Sequence, residues 1–364
     1  MLITTQRTIS HLDLDTFFVS VECLRNSKLK GKPLLIGGHS DRAVVAACSY
    51  EARAFGVHSA MPMKLARRLC PQAIVISGDM EAYSKQSRIV TQIIKSEVPT
   101  FEKASIDEFY IDLTGMEKHF GCSKFTQALK QKINKETGLP LSYGLAANKL
   151  VSKVATNEAK PNGQMEIPFG SEKSFLAPLP IQKMPMVGEK LASTLKGLGI
   201  RIIRTLSEMP VEMLESMFGK TGIELWRRAN GIDETPVTPY REQKSISTEN
   251  TFESDTIDLR FLHHQLVRMT QKVSFELRQQ NRLTGCVTVK LRYANFDTVS
   301  RQCAIAYTCS DDVLIPEVKE LFTRLYDRRM LIRLVGVRLT NLTAGNYQIH
   351  LFEDTQEQIH LYQP

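Results

Sequence analysis

The stretch from His11 to Glu22 constrains this chain more than any other. Ile9, Leu12 and Leu14 read as a strand, and within three residues the apolar pattern switches to helical spacing at Phe17, Phe18, Val21 and Leu24. So abrupt a switch leaves Asp13 at a strand end, directly before a helix N-terminus, with Asp15 where an N-cap is expected. The unpaired amides of Thr16, Phe17 and Phe18 and the positive pole of the helix dipole suit phosphate groups. A metal ion on Asp13 and a phosphate on those amides would be neighbours. A lone Asp-x-Asp is most often a solvated turn, so this reading depends on partners elsewhere in the chain.

Those partners come about ninety residues later. Two strand-like runs, Phe101-Glu102-Lys103 and Phe109-Tyr110-Ile111, enclose Asp107 and Glu108. In a flat strand the two acids would face opposite ways. They can serve one site only if the backbone turns there, as at a hairpin tip. Adjacent acids in an apolar surrounding need a compensating charge, and a divalent cation is the natural one.

Further along the chain are candidates for holding phosphate. Tyr50 and Arg53, three apart on a short helix opened by Ser49, share a face. They read either as a surface stacking pair or as a phenol and a guanidinium aimed at phosphates. Lys160, just before the Pro161-Asn162-Gly163 turn, is either solvated or a positioned phosphate ligand. With three acids and a helix N-terminus, these residues are the equipment of two-metal phosphoryl transfer.

The rest of the first two-thirds alternates strands (Leu34–Ile36, Ala43–Cys48, a buried Ile74–Ile76, Leu141–Leu145) with helices (Met80–Val98, Phe125–Thr137, Asn148–Glu158). From Pro178 the texture changes to short helices, and Met184–Leu191 reads as a helix–hairpin–helix presenting Val187, Gly188 and Lys190 to a DNA phosphate. Residues 233–243, polar with Pro236 and Pro239, read as an extended linker. Beyond it the expected order is βαββαβ, with Lys244, Arg268, Lys272, Arg282, Lys290, Arg292 and Arg301 giving one basic side. The tail repeats Gln-Ile-His-Leu-aromatic at Gln348–Phe352 and Gln358–Tyr362, as peptides that dock apolar side chains into a partner's groove would.

Composition agrees with this division. Lys plus Arg number 47 against 39 Asp plus Glu, and the net charge of +8 favours a polyanionic partner. Seven scattered cysteines without a Cys-x-x-Cys read as reduced thiols, neither a disulfide framework nor a zinc site. No signal-like N-terminus or membrane-length apolar run is present, so a soluble, cytoplasmic protein is expected.

In their order, Asp13-Leu14-Asp15-x-Phe17-Phe18, Ser49-Tyr50-Glu51-Ala52-Arg53-x-Phe55-Gly56-Val57, Ala104-Ser105-Ile106-Asp107-Glu108, Ala159-Lys160-Pro161-Asn162-Gly163, Gly231-Ile232-Asp233 and Lys244-Ser245-Ile246-Ser247 resemble the Y-family translesion DNA polymerases. Within them the chain resembles the bacterial DNA polymerase IV (DinB-like) branch, over about residues 9–340. The resemblance implies an α+β, multidomain right hand. Its palm would be 1–16 and 78–168, its fingers 17–77, its helical thumb 169–232 and its linker 233–243. A βαββαβ little finger would span 244–342, followed by a flexible tail, 343–364.

The resemblance also assigns roles. Asp13, Asp107 and Glu108, with the Leu14 carbonyl, would bind two Mg²⁺, with Mn²⁺ as an alternative. Tyr50, Arg53 and Lys160 would hold an incoming deoxynucleoside triphosphate, over Thr16, Phe17 and Ala46. Phe18 would be the steric gate under the sugar, with Phe17 the core residue beside it. Val187, Gly188, Lys190, Lys244, Ser245, Arg292 and Arg301 would contact primer–template DNA, and Gln348, Leu351 and Phe352 would engage the β sliding clamp. A monomer is expected. Two positions depart from the family pattern, Ala47 for a triphosphate-bonding Thr and Met186 for a hairpin Gly. A nucleotidyl cyclase or a non-catalytic DNA-binding scaffold would also use parts of this equipment. The first leaves the hairpin, the basic domain and the tail unexplained, and the second leaves the three acids unexplained.

Overall fold

The computed structural model describes residues 7–116, 121–239, 242–326 and 330–345. The chain forms two compact units, Met1–Tyr240 and Arg241–Pro364.

The first unit is built on a five-stranded sheet with β1 (Ile9–Leu14) at its centre. β1 runs antiparallel to β6 (Glu108–Asp112) and to β7 (Leu141–Ala146), with β5 (Phe101–Lys103) and β8 (Gln164–Glu166) at the edges. Period-two alternation divides β1 between two environments. Leu12 and Leu14 enter a core with Phe109 and Ile111, shared with α1 (Phe17–Arg25), α4 (Met80–Glu97) and α5 (Cys122–Thr137). Ile9, His11 and Asp13 face the other way, toward α6 (Lys149–Ala159). Gly144 on β7 makes that approach possible, because a Cβ there would stand 2.2 Å from the Ser152 carbonyl oxygen of α6.

A second sheet in the order β3-β2-β4 forms the small fingers. It comprises β2 (Leu34–Gly37), β3 (Val45–Cys48) and β4 (Ile74–Ile76), with α2 (Tyr50–Arg53) and α3 (Met63–Leu69). Ser49 caps α2 by accepting from the Ala52 amide. β4 is an edge strand with Ile74 exposed and Val75 and Ile76 half-buried, which corrects the buried strand expected there. The apolar run is real, but one side of it has no strand to cover it.

The helical thumb contains α7 (Glu172–Leu176), α8 (Glu189–Gly197), α9 (Ile203–Ser207), α10 (Val211–Phe218) and α11 (Lys220–Ala229). Their apolar sides form one core with Leu150, Val151 and Val154 of α6. The Gly231-Ile232-Asp233 motif clasps the start of α6. Asn148, the N-cap, donates to the Gly231 carbonyl 2.8 Å away, and the Leu150 amide donates to Asp233 at 2.9 Å. The following residues are not a loose linker. Val237 packs with Ile9 and Tyr110, and the Thr238 amide donates to Glu102 at 2.9 Å. A polar, proline-bearing sequence looks extended, but its Thr238 amide is taken up by a buried palm carboxylate.

The second unit is a βαββαβ domain: β9 (Ser245–Thr256), α12 (Leu259–Gln279), β10 (Arg282–Tyr293), β11 (Thr298–Thr308), α13 (Asp311–Leu325) and β12 (Ile332–Ala344). Its sheet has the order β11-β10-β12-β9, and Val287, Val289, Leu291, Val335, Val337 and Leu339 pack under both helices. The expected single basic side is corrected. Register places Lys290 and Arg292 on the open face with Ser300 and Thr298 opposite them. Arg301 pairs with buried Val289 and bonds the Arg324 carbonyl of α13, while Arg268 and Lys272 are exposed on α12. Arg338, opposite Thr288 and Ser247, joins the open face and was not singled out by sequence.

Candidate active site

Register between β1 and β6 brings two of the three acids onto one face. Asp13 is the Cα partner of Glu108, so both side chains lie on the face covered by α6. Asp107 is in the tight turn between β5 and β6, the expected hairpin tip. Ser105 builds this turn, accepting from the Asp107 and Glu108 amides at 3.3 and 3.0 Å and donating to the Asp107 carboxylate at 2.5 Å. The Ile106 carbonyl is fixed by the Ser87 hydroxyl of α4, and the Asp107 carbonyl accepts from the Leu14 amide at 3.1 Å.

α6 lays a row of lysines along these acids. Lys149 meets Glu102 at 2.6 Å, Lys153 meets both oxygens of Glu108 at 2.7 Å, and Lys160, just past the helix, meets Asp13 at 2.6 Å. Sequence reasoning found Lys160 and missed Lys149 and Lys153, although their spacing of four on a helix crossing an acid-bearing sheet was a usable signal. Asp13 is 5% exposed, and burial raises its carboxyl to about 7, with Lys160 opposing the rise and Glu108 and Asp107 adding to it. His11, buried and bonded to Thr156 at 2.8 Å, is held well below its ordinary value by burial and by Lys153, Lys160 and Lys149.

A pocket of about 140 Å³ opens over this cluster, lined by Asp13, Leu14, Thr16, Phe17, Phe18, Ala46, Ala47, Arg53, Ser59, Asp107 and Lys160. Ser59 is the one lining residue that the sequence did not suggest. The Phe17 ring is buried in the core, whereas half-buried Phe18 stacks on Tyr83 with ring centroids 4.4 Å apart and planes 14° apart. Tyr83 is itself fixed by a 2.7 Å bond to Glu22. Arg53 lies over the Tyr50 ring, 5.0 Å from its centroid, so the two do share a face.

Asp15 does not cap α1. The N-cap is Thr16, in a left-handed conformation with φ 42°, and no side chain caps the helix. Asp15 is instead buried and accepts from Ser142, Asn162 and Tyr50. Its partners come from β7, the Lys160–Gly163 turn and α2, long-range contacts that propensity cannot anticipate. In the thumb hairpin, Met186 takes φ 74°, the backbone region that favours glycine, with its side chain exposed. The Val187 amide donates to the Met184 carbonyl and its side chain is in the core, so Val187 is not an outward contact. The donors left there are the first-turn amides of α8, which has no side-chain cap.

The acids present oxygen donors only, as hard divalent cations require, and two lysine ammonium groups already stand in as cations beside them. Among the described residues no three such side chains converge on one point, because Asp13 and Glu108 turn to lysines and Asp107 to Ser105. The residues therefore fit a divalent metal once the lysines yield.

The impB/mucB/samB family model matches residues 12–157, its C-terminal domain matches 243–351, and a DNA polymerase-iota thumb domain matches 182–233. DNA polymerase IV of Dehalococcoides mccartyi is 39% identical over 349 residues, covering 95% of this chain and 90% of that protein. DNA polymerase IV of Halorhodospira halophila is 37% identical over 354 residues, covering 96% and 99%. A solved Y-family DNA polymerase chimera aligns with a TM-score of 0.82 at 28% identity, covering 93% of this chain and 99% of that one. A right hand in which Asp13 and Glu108 pair with lysines beside the turn that carries Asp107, and these likenesses, define a DNA-directed DNA polymerase, and the chain belongs to the Y family. Within that family it falls in the bacterial DNA polymerase IV branch.

Proposed function

We propose that the protein extends a primer 3′ end by templated, error-prone addition of deoxynucleotides, in translesion synthesis. The register-paired acids Asp13 and Glu108, joined by Asp107 at the hairpin tip, carry the reading. Asp13, Asp107, Glu108 and the Leu14 carbonyl would hold two Mg²⁺. When bound, the ions supply Lewis-acid activation of the attacking hydroxyl and charge neutralisation at the leaving oxygen. Arg53, Tyr50 and Lys160 bind the triphosphate, with the Thr16–Phe18 amides beneath it. The Phe18 ring, backed by Tyr83, lies under the sugar and leaves no room for a 2′-hydroxyl.

Exposed Val44 and Ala46, with half-buried Ala47, leave a small, open roof over the base pair. Such a roof checks pair shape poorly, which supports lesion tolerance. Single-nucleotide incorporation tests this: selectivity well below that of a replicative polymerase is expected, and equal selectivity overturns it.

The proposed division keeps the palm at 1–16 and 78–168, the fingers at 17–77, the thumb at 169–232 and the little finger at 244–342. The strap on the palm moves the start of the linker to after Thr238. The open face of the little finger, through Lys290, Arg292 and Arg338, and the α8 N-terminus at Gly188 and Lys190 grip the duplex, with Lys244 and Ser245 at the head of β9. Gln348, Leu351 and Phe352 lie outside the described residues; their sequence supports docking on the β sliding clamp. We read the protein as a cytoplasmic monomer; among the described residues no helix is long and apolar enough to cross a membrane.

A further inference from the structure

Asp15 is 1% exposed, yet its carboxylate is one of the most heavily engaged groups in the first unit. The Ser142 hydroxyl of β7 lies 3.0 Å from each of its oxygens. Oδ2 also accepts from the Asn162 amide at 2.7 Å, and Oδ1 from the Tyr50 hydroxyl at 3.4 Å. Ser142 in turn accepts from the Gly163 amide at 3.2 Å. The Lys160–Gly163 turn is thus tied to one carboxylate at two successive amides, directly at Asn162 and through Ser142 at Gly163. The turn has no slack elsewhere: Asn162 has φ 48°, and a Cβ on Gly163 would stand 1.8 Å from the Ala159 carbonyl oxygen.

Three segments therefore meet at Asp15: the Thr16–Phe18 amides that follow it, the turn that presents Lys160, and the α2 helix that presents Tyr50. The Asn162 amide can only donate, and Ser142 and Tyr50 offer their hydroxyl protons to the same carboxylate. An amide could still accept from Asn162, but without the negative charge that strengthens these bonds. The 3.4 Å contact with Tyr50 is the longest of the set, so α2 is held more lightly than the Lys160–Gly163 turn. Burial and the negative charge of Asp15 both raise the Tyr50 hydroxyl, which keeps it a donor.

We infer that Asp15 is a positioning residue for the incoming nucleotide, fixing from one buried carboxylate the three segments that cradle its triphosphate. This rests on the reading of Tyr50 and Lys160 as triphosphate ligands. Asp15 touches neither substrate nor the reacting atoms; it acts through the groups it holds.

The test is nucleotide affinity in a non-reacting complex of the full chain with Mg²⁺, a dideoxy-terminated primer–template and the complementary deoxynucleoside triphosphate. Asp15→Asn is expected to weaken nucleotide binding by about tenfold with primer–template affinity unchanged, the loss of one charge-assisted contact. In a Lys160→Ala background the same change is expected to add little, because both act through one turn. Nucleotide affinity within twofold of wild type, a full additive loss, or an equal fall in primer–template affinity would overturn the inference. If Asp15→Asn fails to fold, Ser142→Ala decides: it keeps the charge and removes the relay to Gly163. A loss of about threefold in nucleotide affinity alone is then expected, and wild-type affinity overturns the inference. Failure of the underlying reading looks different: Lys160→Ala and Tyr50→Phe would both bind nucleotide as wild type does.

Discussion

Lys153 Nζ lies 2.7 Å from both carboxylate oxygens of Glu108, so the ammonium group caps that acid symmetrically. The charge there is balanced by α6 before any metal arrives. If Glu108 is a metal ligand, as proposed, lysine and metal compete for it. Lys153→Met is expected to tighten Mn²⁺ binding to the DNA-free protein by about threefold to tenfold, or about 0.7–1.4 kcal/mol. Titration followed by electron paramagnetic resonance measures it, and unchanged or weaker binding counts against competition.

Asp13 gives the site a pH signature. Its carboxyl is raised to about 7 from an unfolded value near 4, so the folded protein keeps a proton that the unfolded chain has released. That contribution to stability is full below about pH 4 and is lost as pH rises through 7. His11 works the other way: its lowered value costs stability as pH falls through 6.5. In metal-free protein, the thermal midpoint of Asp13→Asn minus that of wild type should therefore grow from pH 5 to pH 8. Added Mg²⁺ should shrink that difference at pH 8 by stabilising wild type. A pH-independent difference contradicts the assignment.

Phe18, the proposed gate, stands on a stack with Tyr83. Phe18→Ala is expected to raise ribonucleotide incorporation relative to deoxynucleotide incorporation by at least about tenfold, or 1.4 kcal/mol, with Mg²⁺ dependence unchanged. Tyr83→Phe keeps the stack but loses the bond to Glu22, so a smaller relaxation is expected. Steady-state incorporation of both nucleotide classes reads this out, and unchanged sugar selectivity in Phe18→Ala removes the gate.

Replacing Leu351 and Phe352 by Ala is expected to abolish stimulation by the sliding clamp while clamp-free incorporation stays at the wild-type rate. Equal loss of both activities would refute the tail's role.

Much of this was legible in the sequence for a physical reason. The acids and Lys160 occupy short motifs at strand ends and turns, where residue type and local geometry are tightly linked. The βαββαβ order was legible because period-two and helical patterns alternate clearly between Ser245 and Leu339. What stayed hidden depends on register and on long-range contact. Lys153 looks like any helix lysine until α6 is laid over Glu108. Arg301 looks like Arg292 until pairing with Val289 puts it on the helix-covered face. Asp15 looks like a cap because capping is local, whereas its partners at 50, 142 and 162 come from separate parts of the chain. The strap at Val237 and Thr238 escaped notice because its anchor, Glu102, is buried in a different element.

The most direct measurement is primer extension with Mg²⁺ by wild type, Asp107→Ala and Glu108→Ala, with primer–template binding measured alongside. Wild type should add template-directed deoxynucleotides, and each acid variant should bind DNA as well but extend it at least about a thousandfold more slowly, a barrier higher by about 4 kcal/mol. A wild-type protein that binds primer–template and never extends it, or acid variants that extend at the wild-type rate, would contradict a polymerase site built on these acids.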